Sequence, residues 1–522
     1  MTKVCILTAG TGTRLNKYGK VINKAILPIK EKAIISYILK LFSPKNEFVI
    51  ATGYRSCDVK NYLKIAHPKL KIKFVNVKNF NGPGSGPGRS LLYCKKFLQE
   101  EFFFVPSDLY TNINLKNKKK FKNNIFWSSK VKQEETKNYL NFFHKNLRIL
   151  DYIDKKNISD ASIYSWSGLC YIKDYKSFWN SLEKKRNKIN NEYQISNGLI
   201  DLIKNKKSFI KKIQWKDLGN FTNYEKEKKK YDKFDFSKDK EFIYFINNKV
   251  IKYSVNNLES KNKHLKFKLN KQVYPKNTKL MNNFLYYDFV RGENFYNVAN
   301  KENFTNLLKY CEKKLWIHKE VDRSSFYLNC NNFYKKKTLN RVNLFLKSMK
   351  HFDQIKIVNN IQVPSIDILL KKIDWKILSN GIPSYIHGDL QFDNIIKINS
   401  SFKLIDWRPD FDGVIKYGDL NYDFAKLLGG IYINYREVKK NKFIVERKKK
   451  NKYYVQFPKS KNIKSLLPIL KNYISKKSNF DKIELIKALI YLNMSPLHKS
   501  PFSEGLFLIS KYLLTKNLFS KK

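Results

Sequence analysis

Arginine is scarce in this chain. Of its 103 basic residues 11 are Arg and 92 are Lys, set against 44 acidic residues for a formal charge of +59. Recognition of bases and nucleic-acid phosphates leans on the bidentate Arg fork. A Lys excess spread over the whole length, beside abundant Asn, Ile, Tyr and Phe, reads as compositional drift, so no specific nucleic-acid partner is expected. The charge would still attract anionic nucleotides and phosphate esters. Apolar runs are short as well: none reaches about 18 residues, which excludes a helical membrane span. Cysteines are few and scattered (Cys5, Cys57, Cys94, Cys170, Cys311, Cys330), with no CxxC pair and no Cys/His spacing suited to zinc. They read as small core residues in a reduced compartment. Residues 4–9 form a brief apolar run before a Gly-rich turn, a strand rather than a secretory signal, so a cytoplasmic location is expected. What the chain does have is 42% hydrophobic and 15% aromatic residues over 522 positions. That is too apolar for disorder and long enough for two or three domains.

Residues 3–8, 48–52, 72–77 and 102–106 read as short buried strands, with helical stretches at 34–42, 58–64 and 90–98 between them. Alternation at this spacing predicts an α/β domain with a mostly parallel, doubly wound sheet. Ligands on such sheets sit at the carboxyl ends of the strands. A highly charged run without apolar period marks a linker at 229–240, which divides a domain at 1–228 from a second at 241–522. In the second, FIYFINNKVIKY (242–253) predicts a hairpin turning at Asn247-Asn248. Residues 303–318, 340–350 and 482–494 have helical period, and 431–457 reads as an inserted charged hairpin. The outline is a small β lobe at about 241–295 followed by a helical lobe at about 296–522.

Strand 3–8 runs into Gly10-Thr11-Gly12-Thr13-Arg14. Such a turn lets backbone N–H groups approach a triphosphate, with Arg14 forked onto its oxygens. The segment LTAGTGTRL followed by NKAILPI resembles the sugar-phosphate and phosphocholine nucleotidyltransferases, which read approximately LAAGxGTRL, a spacer, then PK(A/P)LLP(V/I). FVIATGY (48–54), GPGSGPGRS (82–90), FFFVPSD (102–108) and DLGNFTNYE (217–225) follow in the family's order, over about residues 1–228. The resemblance implies a Rossmann-like, GT-A-like domain. Gly10, Gly12, Thr13 and Gly86 would contact the nucleotide, and Lys24 and Arg14 would neutralise phosphates. Asp108 and Asp217 would hold Mg²⁺, a hard cation suited to carboxylate oxygens. The chain departs from the family at Asn23, where a Pro usually precedes the Lys; because Pro fixes φ, a change in loop stiffness is expected.

The sharpest local pattern is YIHGDLQFDNII (385–396) followed by LIDW (404–407). Phosphoryl transfer to a hydroxyl needs a carboxylate to take the proton and oxygen ligands for Mg²⁺ on the ATP phosphates. Asp389 on a tight loop suits the first task, and Asn394 and Asp406 beside short strands suit the second. His387 reads as a loop support rather than a catalyst. The pattern resembles the aminoglycoside phosphotransferase and choline kinase superfamily over about residues 241–430. It implies a bilobal, protein-kinase-like fold, with Lys252 as the nucleotide-binding strand Lys, Glu259 as its carboxylate partner and Asp423 as a helix cap.

A kinase joined to a nucleotidyltransferase makes chemical sense when the product of one is the acceptor of the other. Expected partners are therefore ATP, a second NTP (CTP ahead of UTP), and a small alcohol or sugar with its phosphate ester. Choline or ethanolamine is the nearest pairing by resemblance. Against it stands Arg408 in IDWRPDFDG, where choline kinases of this kind have an acidic residue; a cation there repels a quaternary ammonium. Trp407 and Arg408 are the substrate-binding candidates. The alternatives are an anomeric sugar kinase with a uridylyl- or guanylyltransferase, and a catalytically dead nucleotide-sensing or RNA-associated module.

Overall fold

The computed structural model describes residues 2–116, 121–158, 160, 162–184, 188–189, 191–231, 240–458 and 460–519, so most of the expected linker, 232–239, lies outside the described residues. The chain divides into two compact units. Residues 1–232, 242–255 and 281–284 form the first; residues 233–241, 256–280 and 285–522 form the second. The hairpin expected to open the second domain thus counts with the first unit. Among the described residues no helix is long and apolar enough to cross a membrane.

The first unit is built on a nine-stranded sheet: β1 (Lys3–Leu7), β2 (Glu47–Thr52), β3 (Lys71–Asn76), β4 (Phe102–Pro106), β5 (Asn124–Ser129), β6 (Leu140–Lys145), β7 (Arg148–Asp154), β8 (Tyr164–Ile172) and β9 (Ser208–Lys212). Their order across the sheet is β3-β2-β1-β4-β8-β5-β9-β7-β6. The first four are parallel, as their spacing predicted, and helices α1 (Ile34–Lys40), α2 (Ser56–Ala66) and α3 (Pro87–Cys94) lie between them in sequence. From β8 onward the pairing is mostly antiparallel, with one parallel pair between β9 and β5. The sheet is therefore mixed rather than mostly parallel.

Burial explains the central strands. Val4, Cys5, Ile6, Phe48, Val49, Ile50, Phe102 and Val105 are fully buried, as near-continuous apolar strands covered on both faces must be. Strand order reverses between β1 and β4, the switch point at which open α/β sheets place their ligands.

The hairpin forms as the sequence predicted, with strands Glu241–Ile246 and Lys249–Ser254 and positive φ at both Asn247 and Asn248, the requirement of a type I′ turn. Its Tyr244 hydroxyl donates to Ile26 O (2.7 Å), and Tyr253 donates to Asp58 Oδ2 (3.0 Å). The helix Phe221–Lys229, capped by Asn220, ends at the first residue of the expected linker; its Glu227 is buried and ion-paired with Lys216 and Lys230.

The helices of the second unit include α4 (Asn257–Leu269), Lys301–Lys314, α5 (Lys337–Met349), α6 (Leu420–Tyr432), Phe480–Met494 and Phe502–Phe519. A π-helical segment, Asn332–Lys336, leads into α5. The hairpin Ile395–Ile398 with Ser401–Leu404 pairs Ile395 with Leu404. The inserted hairpin is present as Ile444–Lys449 and Lys452–Gln456. Five cysteines are buried as expected for core residues; Cys57 is exposed, because it lies on the outer side of α2.

Candidate functional sites

A cavity of about 260 Å³ opens at the carboxyl ends of β1 and β4, lined there by Leu7, Pro106, Ser107 and Asp108. Two carboxylates meet in it. The short strand Trp215–Asp217 pairs antiparallel with Leu109–Thr111, setting Asp217 opposite Leu109, and Leu218 N donates to Asp108 O (2.9 Å). Gly219 is needed at this junction: a Cβ on it would stand 2.5 Å from Asp108 Oδ2 and 2.9 Å from Asp217 Oδ1. Its N–H donates to Asp217 Oδ1 (2.7 Å).

Lys24 Nζ lies 2.8 Å from Asp108 Oδ2, and Arg14 also lines the cavity. Burial would raise the Asp108 pKa, but Lys24, then Arg14, outweigh it and hold the carboxyl below its ordinary range. Asp217 is pushed the other way, by burial first and by the neighbouring Asp108 second. One anion and one carboxyl reluctant to ionise beside it mark a place short of positive charge.

Asn23 accounts for the position of Lys24. Its buried side chain donates to Thr8 O (2.9 Å) and Tyr54 O (2.8 Å), and accepts from Ala25 N (2.9 Å), capping the single turn Lys24–Ile26. Where a Pro would restrict the backbone, this chain fastens the turn to the ends of β1 and β2 through an amide. Departure from the family's Pro therefore exchanges one rigid device for another, rather than loosening the loop.

Of the expected nucleotide contacts, Gly10, Gly12 and Thr13 form the turn after β1. Gly86 precedes α3 at φ 117°, where a Cβ would meet Tyr193 N and O at 2.8 Å; the loop closes on that backbone, with Tyr193 N donating to Ser85 O (2.6 Å). Several cavity residues went unread in the sequence. Lys155, at φ 52°, donates to Gln194 Oε1 (2.9 Å), and Tyr139 packs edge-on against Trp215 at 5.0 Å. They come from the antiparallel half of the sheet, whose strands have no Gly-rich or carboxylate pattern; a Lys just after the alternating run 148–154 was the available sign.

In the second unit the loop 387–394 is fixed from several sides. His387 is fully buried; its Nδ1 accepts from Asp389 N (3.2 Å), and its Nε2 lies 3.0 Å from Ile405 O. A carbonyl requires a donor, so the ring is the neutral Nε2–H tautomer, and burial lowers its pKa to about 4. This is the supporting role its position suggested. Asp423 differs from expectation. The N-cap of α6 is Asp419, whereas Asp423 accepts from His387 N (2.8 Å), Gly388 N (2.7 Å) and Trp316 Nε1 (3.1 Å), and so anchors the loop from one turn inside the helix.

The pairing of Ile395 with Leu404 brings Asn394 and Asp406 to one end of the hairpin, and Ile405 N donates to Asn394 O (2.9 Å). Asn394 Nδ2 donates to Asp389 O (2.9 Å) and Oδ2 (3.2 Å), which joins all three residues. Asp406 holds φ 56° in the left-handed region, an uncommon conformation that clusters at functional sites. Lys426 Nζ pairs with Asp389 Oδ1 at 2.8 Å and outweighs burial to keep that carboxyl below its ordinary range. Lys263 of α4 also went unread; its Nζ stands 3.1 Å from Glu259, 3.3 Å from Glu241 and 3.8 Å from Asp406. Glu259 pairs with Lys263, and Lys252, its expected partner, lies on Lys249–Ser254, a strand counted with the first unit. Trp407 is not open to a substrate: it is 1% exposed, donates to Lys263 O (2.8 Å) and packs on Tyr274 at 4.4 Å.

Residues 3–233 match the family described as Nucleotidyl transferase. The bifunctional protein GlmU of Methanocaldococcus jannaschii is 26% identical over 228 residues, 41% of this chain and 50% of that protein. D-glycero-alpha-D-manno-heptose 1-phosphate guanylyltransferase of Campylobacter jejuni is 30% identical over 112 residues, 21% of this chain and 49% of that protein. The chain spans about half the length of the curated relatives it matches. A solved UDP-glucose pyrophosphorylase complexed with UDP-glucose shares 21% identity at a TM-score of 0.38, covering 44% of this chain and 98% of that one.

Proposed function

We propose, from the premise that residues 3–233 are a nucleotidyltransferase domain, that this domain joins a nucleotidyl group to a sugar phosphate and that the second unit is an ATP-dependent phosphotransferase supplying phosphorylated acceptor. The observation that carries the first reading is the junction of Lys24, Asp108 and Asp217 in the cavity at the sheet's switch point. The relative named as a heptose 1-phosphate guanylyltransferase favours a sugar phosphate over phosphocholine as acceptor.

Two carboxylates converging on Gly219 suit Mg²⁺, a hard cation that Asp108 and Asp217 would hold and that supplies charge against phosphate oxygens when bound. An acceptor phosphate oxygen attacks the NTP α-phosphorus; that O–P bond forms as the bond to pyrophosphate breaks. Lys24, steered by Asn23, neutralises charge gathering on the α-phosphate, and Arg14 meets the leaving pyrophosphate. Catalysis is positioning and electrostatics, since the chemistry needs little from the protein beyond these.

In the second unit the supporting observation is the linkage of Asp389 to Asn394 beside Asp406. The acceptor hydroxyl oxygen attacks the ATP γ-phosphorus, the bond to ADP breaks, and the hydroxyl proton passes to Asp389. Asn394 and Asp406 present oxygen donors suited to Mg²⁺.

The test is phosphorus NMR of the full chain with ATP and each of CTP, UTP and GTP, against sugar 1-phosphates and phosphocholine, then against the parent alcohols. Formation of a nucleoside diphosphate sugar, lost in Asp108→Ala, supports the first activity. Phosphorylation of an alcohol, lost in Asp389→Ala while nucleotidyl transfer continues, supports the second. A chain that consumed no NTP yet bound RNA with a steep salt dependence would favour the nucleic-acid-associated alternative.

A further inference from the structure

Besides Lys266, whose buried Nζ donates to His387 O (3.4 Å), four cations gather around the Asp389 loop from three separate elements. Arg408 follows the Ser401–Leu404 strand; its N–H donates to His387 O (3.0 Å), and its side chain lies across Gly388, where a Cβ would meet Arg408 Cβ at 2.7 Å. Lys426 comes from α6 and pairs with Asp389. Lys337 and Arg341 come from α5, one turn apart and so on one face of that helix. Lys337 Nζ and the Arg408 guanidinium both sit on the Phe333 ring, at 3.8 and 4.8 Å from its centroid.

These charges lack matching anions. Among the described residues, Lys337, Arg341 and Arg408 form no ion pair with a carboxylate. Asp389 is taken by Lys426. Asp410 follows Arg408 by two residues, but its Oδ1 accepts from Gly413 N (3.0 Å), its Oδ2 from Asn262 (3.5 Å), and Arg408 Nε reaches only its backbone O (3.1 Å). The cations consequently act on one another. Lys337 is pushed well below its ordinary pKa, by burial first and then by Arg408, Lys426 and Arg341, which outweigh the opposing effect of Asp410, and Arg341 is lowered by burial and by Arg408. Partly buried like charges are costly unless a ligand neutralises them. The helix also gives way at this place, with the π-helical segment Asn332–Lys336 leading straight into Lys337, a distortion frequent at functional sites.

We infer that this cluster is the acceptor subsite of the second unit and that the alcohol it takes is itself an anion, carrying a carboxylate or phosphate group in addition to the hydroxyl. The inference rests on reading the second unit as a phosphotransferase. Asp389 is the group that takes the hydroxyl proton, so the acceptor lies against its carboxylate; Lys426 and Arg408 flank that loop, and Lys337 and Arg341 extend the positive surface. Asn394, Asp406 and Lys263 form the other flank, where the nucleotide phosphates belong. A quaternary ammonium would add a further cation to a cluster short of anions. A sugar phosphate or a hydroxy acid supplies what is missing, and its phosphorylated product would be an acceptor for nucleotidyl transfer.

Matched pairs of probes test this on the full chain with Mg²⁺ and ADP at constant ionic strength. Calorimetry compares glucose 6-phosphate with glucose, and glycerol 3-phosphate and glycerate with glycerol, with choline as the cationic member. The anionic member of each pair should bind about tenfold tighter or more, as expected for charge-assisted hydrogen bonds. Comparing glycerol 3-phosphate with glycerate separates a phosphate from a carboxylate preference. Lys337→Gln and Arg341→Gln should together erase the preference while ADP affinity stays within about twofold; removing partly buried unpaired cations is not expected to unfold the protein. Equal binding within the pairs, tighter binding of choline, no selective binding at all, or variants that weaken ADP instead would each overturn the inference. Phosphoryl transfer from ATP to the bound probe is read separately. An anionic preference without any transfer keeps the anion subsite and removes the kinase reading, whereas transfer to choline or glycerol in preference to the anions does the reverse.

Discussion

Lys426 Nζ stands 2.8 Å from Asp389 Oδ1, so the second unit holds its candidate proton acceptor in an ion pair with a helix that the HGDLQFDN segment does not contain. The pair fixes the carboxylate's orientation and its charge together. Asp389 stays ionised to lower pH than an ordinary Asp, although burial alone would push it the other way.

Replacing Lys426 should therefore move a titration and not only a rate. In Lys426→Met the Asp389 carboxyl loses the cation that depresses it, and its pKa rises. The acid limb of the pH–rate profile for phosphoryl transfer should shift to higher pH by about one unit or more, with Lys426→Arg restoring most of it. An acid limb that stays in place while the rate falls would show that Lys426 acts on something other than Asp389.

Asn23 permits a second test, because its amide serves three backbone groups at once. Asn23→Ala leaves Thr8 O and Tyr54 O without this donor and Ala25 N without its acceptor. A loss of about 1–3 kcal/mol in unfolding free energy is expected from leaving buried polar groups unpaired. Nucleotidyl transfer should fall further than stability does, since Lys24 follows in the same turn. Asn23→Pro should recover some activity if backbone restriction alone positions Lys24; recovery of none would assign the whole effect to the amide.

What the sequence made legible follows a physical divide. The parallel strands β1, β2 and β4 are nearly continuous apolar segments ended by turns, β3 alternates as KIKFVN, and their period and length revealed them. Arg14, Lys24 and Asp108 were readable because LTAGTGTRL, NKAILPI and FFFVPSD together resemble a known pattern, and the switch point is where they meet. The antiparallel half was not readable. The cavity residues Tyr139 and Lys155 beside β6 and β7, like Trp215 on the separate strand Trp215–Asp217, carry no local pattern. Tyr139 and Lys155 meet at the open end of the β6–β7 hairpin, where Lys155 N donates to Tyr139 O (2.9 Å), and pairing with strands distant in sequence places that hairpin and Trp215. In the second unit the motif 387–406 was visible because one hairpin contains it. Lys426, Lys263 and Lys337 reach it from helices separated from it in sequence, and one Lys among 92 has no signal of its own. Asp423 looked like a cap because it stands near a helix start; only the hydrogen bonds distinguish it from Asp419, which is the cap.

Gly219→Ala is the smallest change that reaches the first site's carboxylates. The added methyl would stand 2.5 Å from Asp108 Oδ2 and 2.9 Å from Asp217 Oδ1, closer than packed atoms tolerate. The carboxylates must separate or the segment 217–219 must move, and either spoils a shared cation. Nucleotidyl transfer should drop by about a hundredfold, the scale of misplacing catalytic groups by an ångström, with a far-ultraviolet circular dichroism spectrum like that of the parent. Phosphoryl transfer by the second unit should be unchanged. A variant as active as the parent would mean that the two carboxylates do not work as a unit.

His387 gives the fold of the second unit a pH dependence whose sign can be worked out. The imidazole is buried and neutral, with a pKa lowered from 6.5 to about 4. Between those values the unfolded chain binds a proton that the folded protein refuses, so the unfolded state gains as pH falls and stability declines with it. Above pH 6.5 neither state is protonated and the effect vanishes. Protonation would also remove the acceptor that Nδ1 presents to Asp389 N, so the loop carrying Asp389 is the part placed at risk. From pH 7 to pH 4.5 the group should account for a loss of about 2 to 3 kcal/mol. The measurement is urea unfolding of the parent and of His387→Gln at both pH values. Gln keeps a donor for Ile405 O but does not titrate, so the parent should lose that much more stability than the variant. An equal loss in both proteins would mean that the imidazole reaches water, and the loop would then owe its order to Asp423 alone.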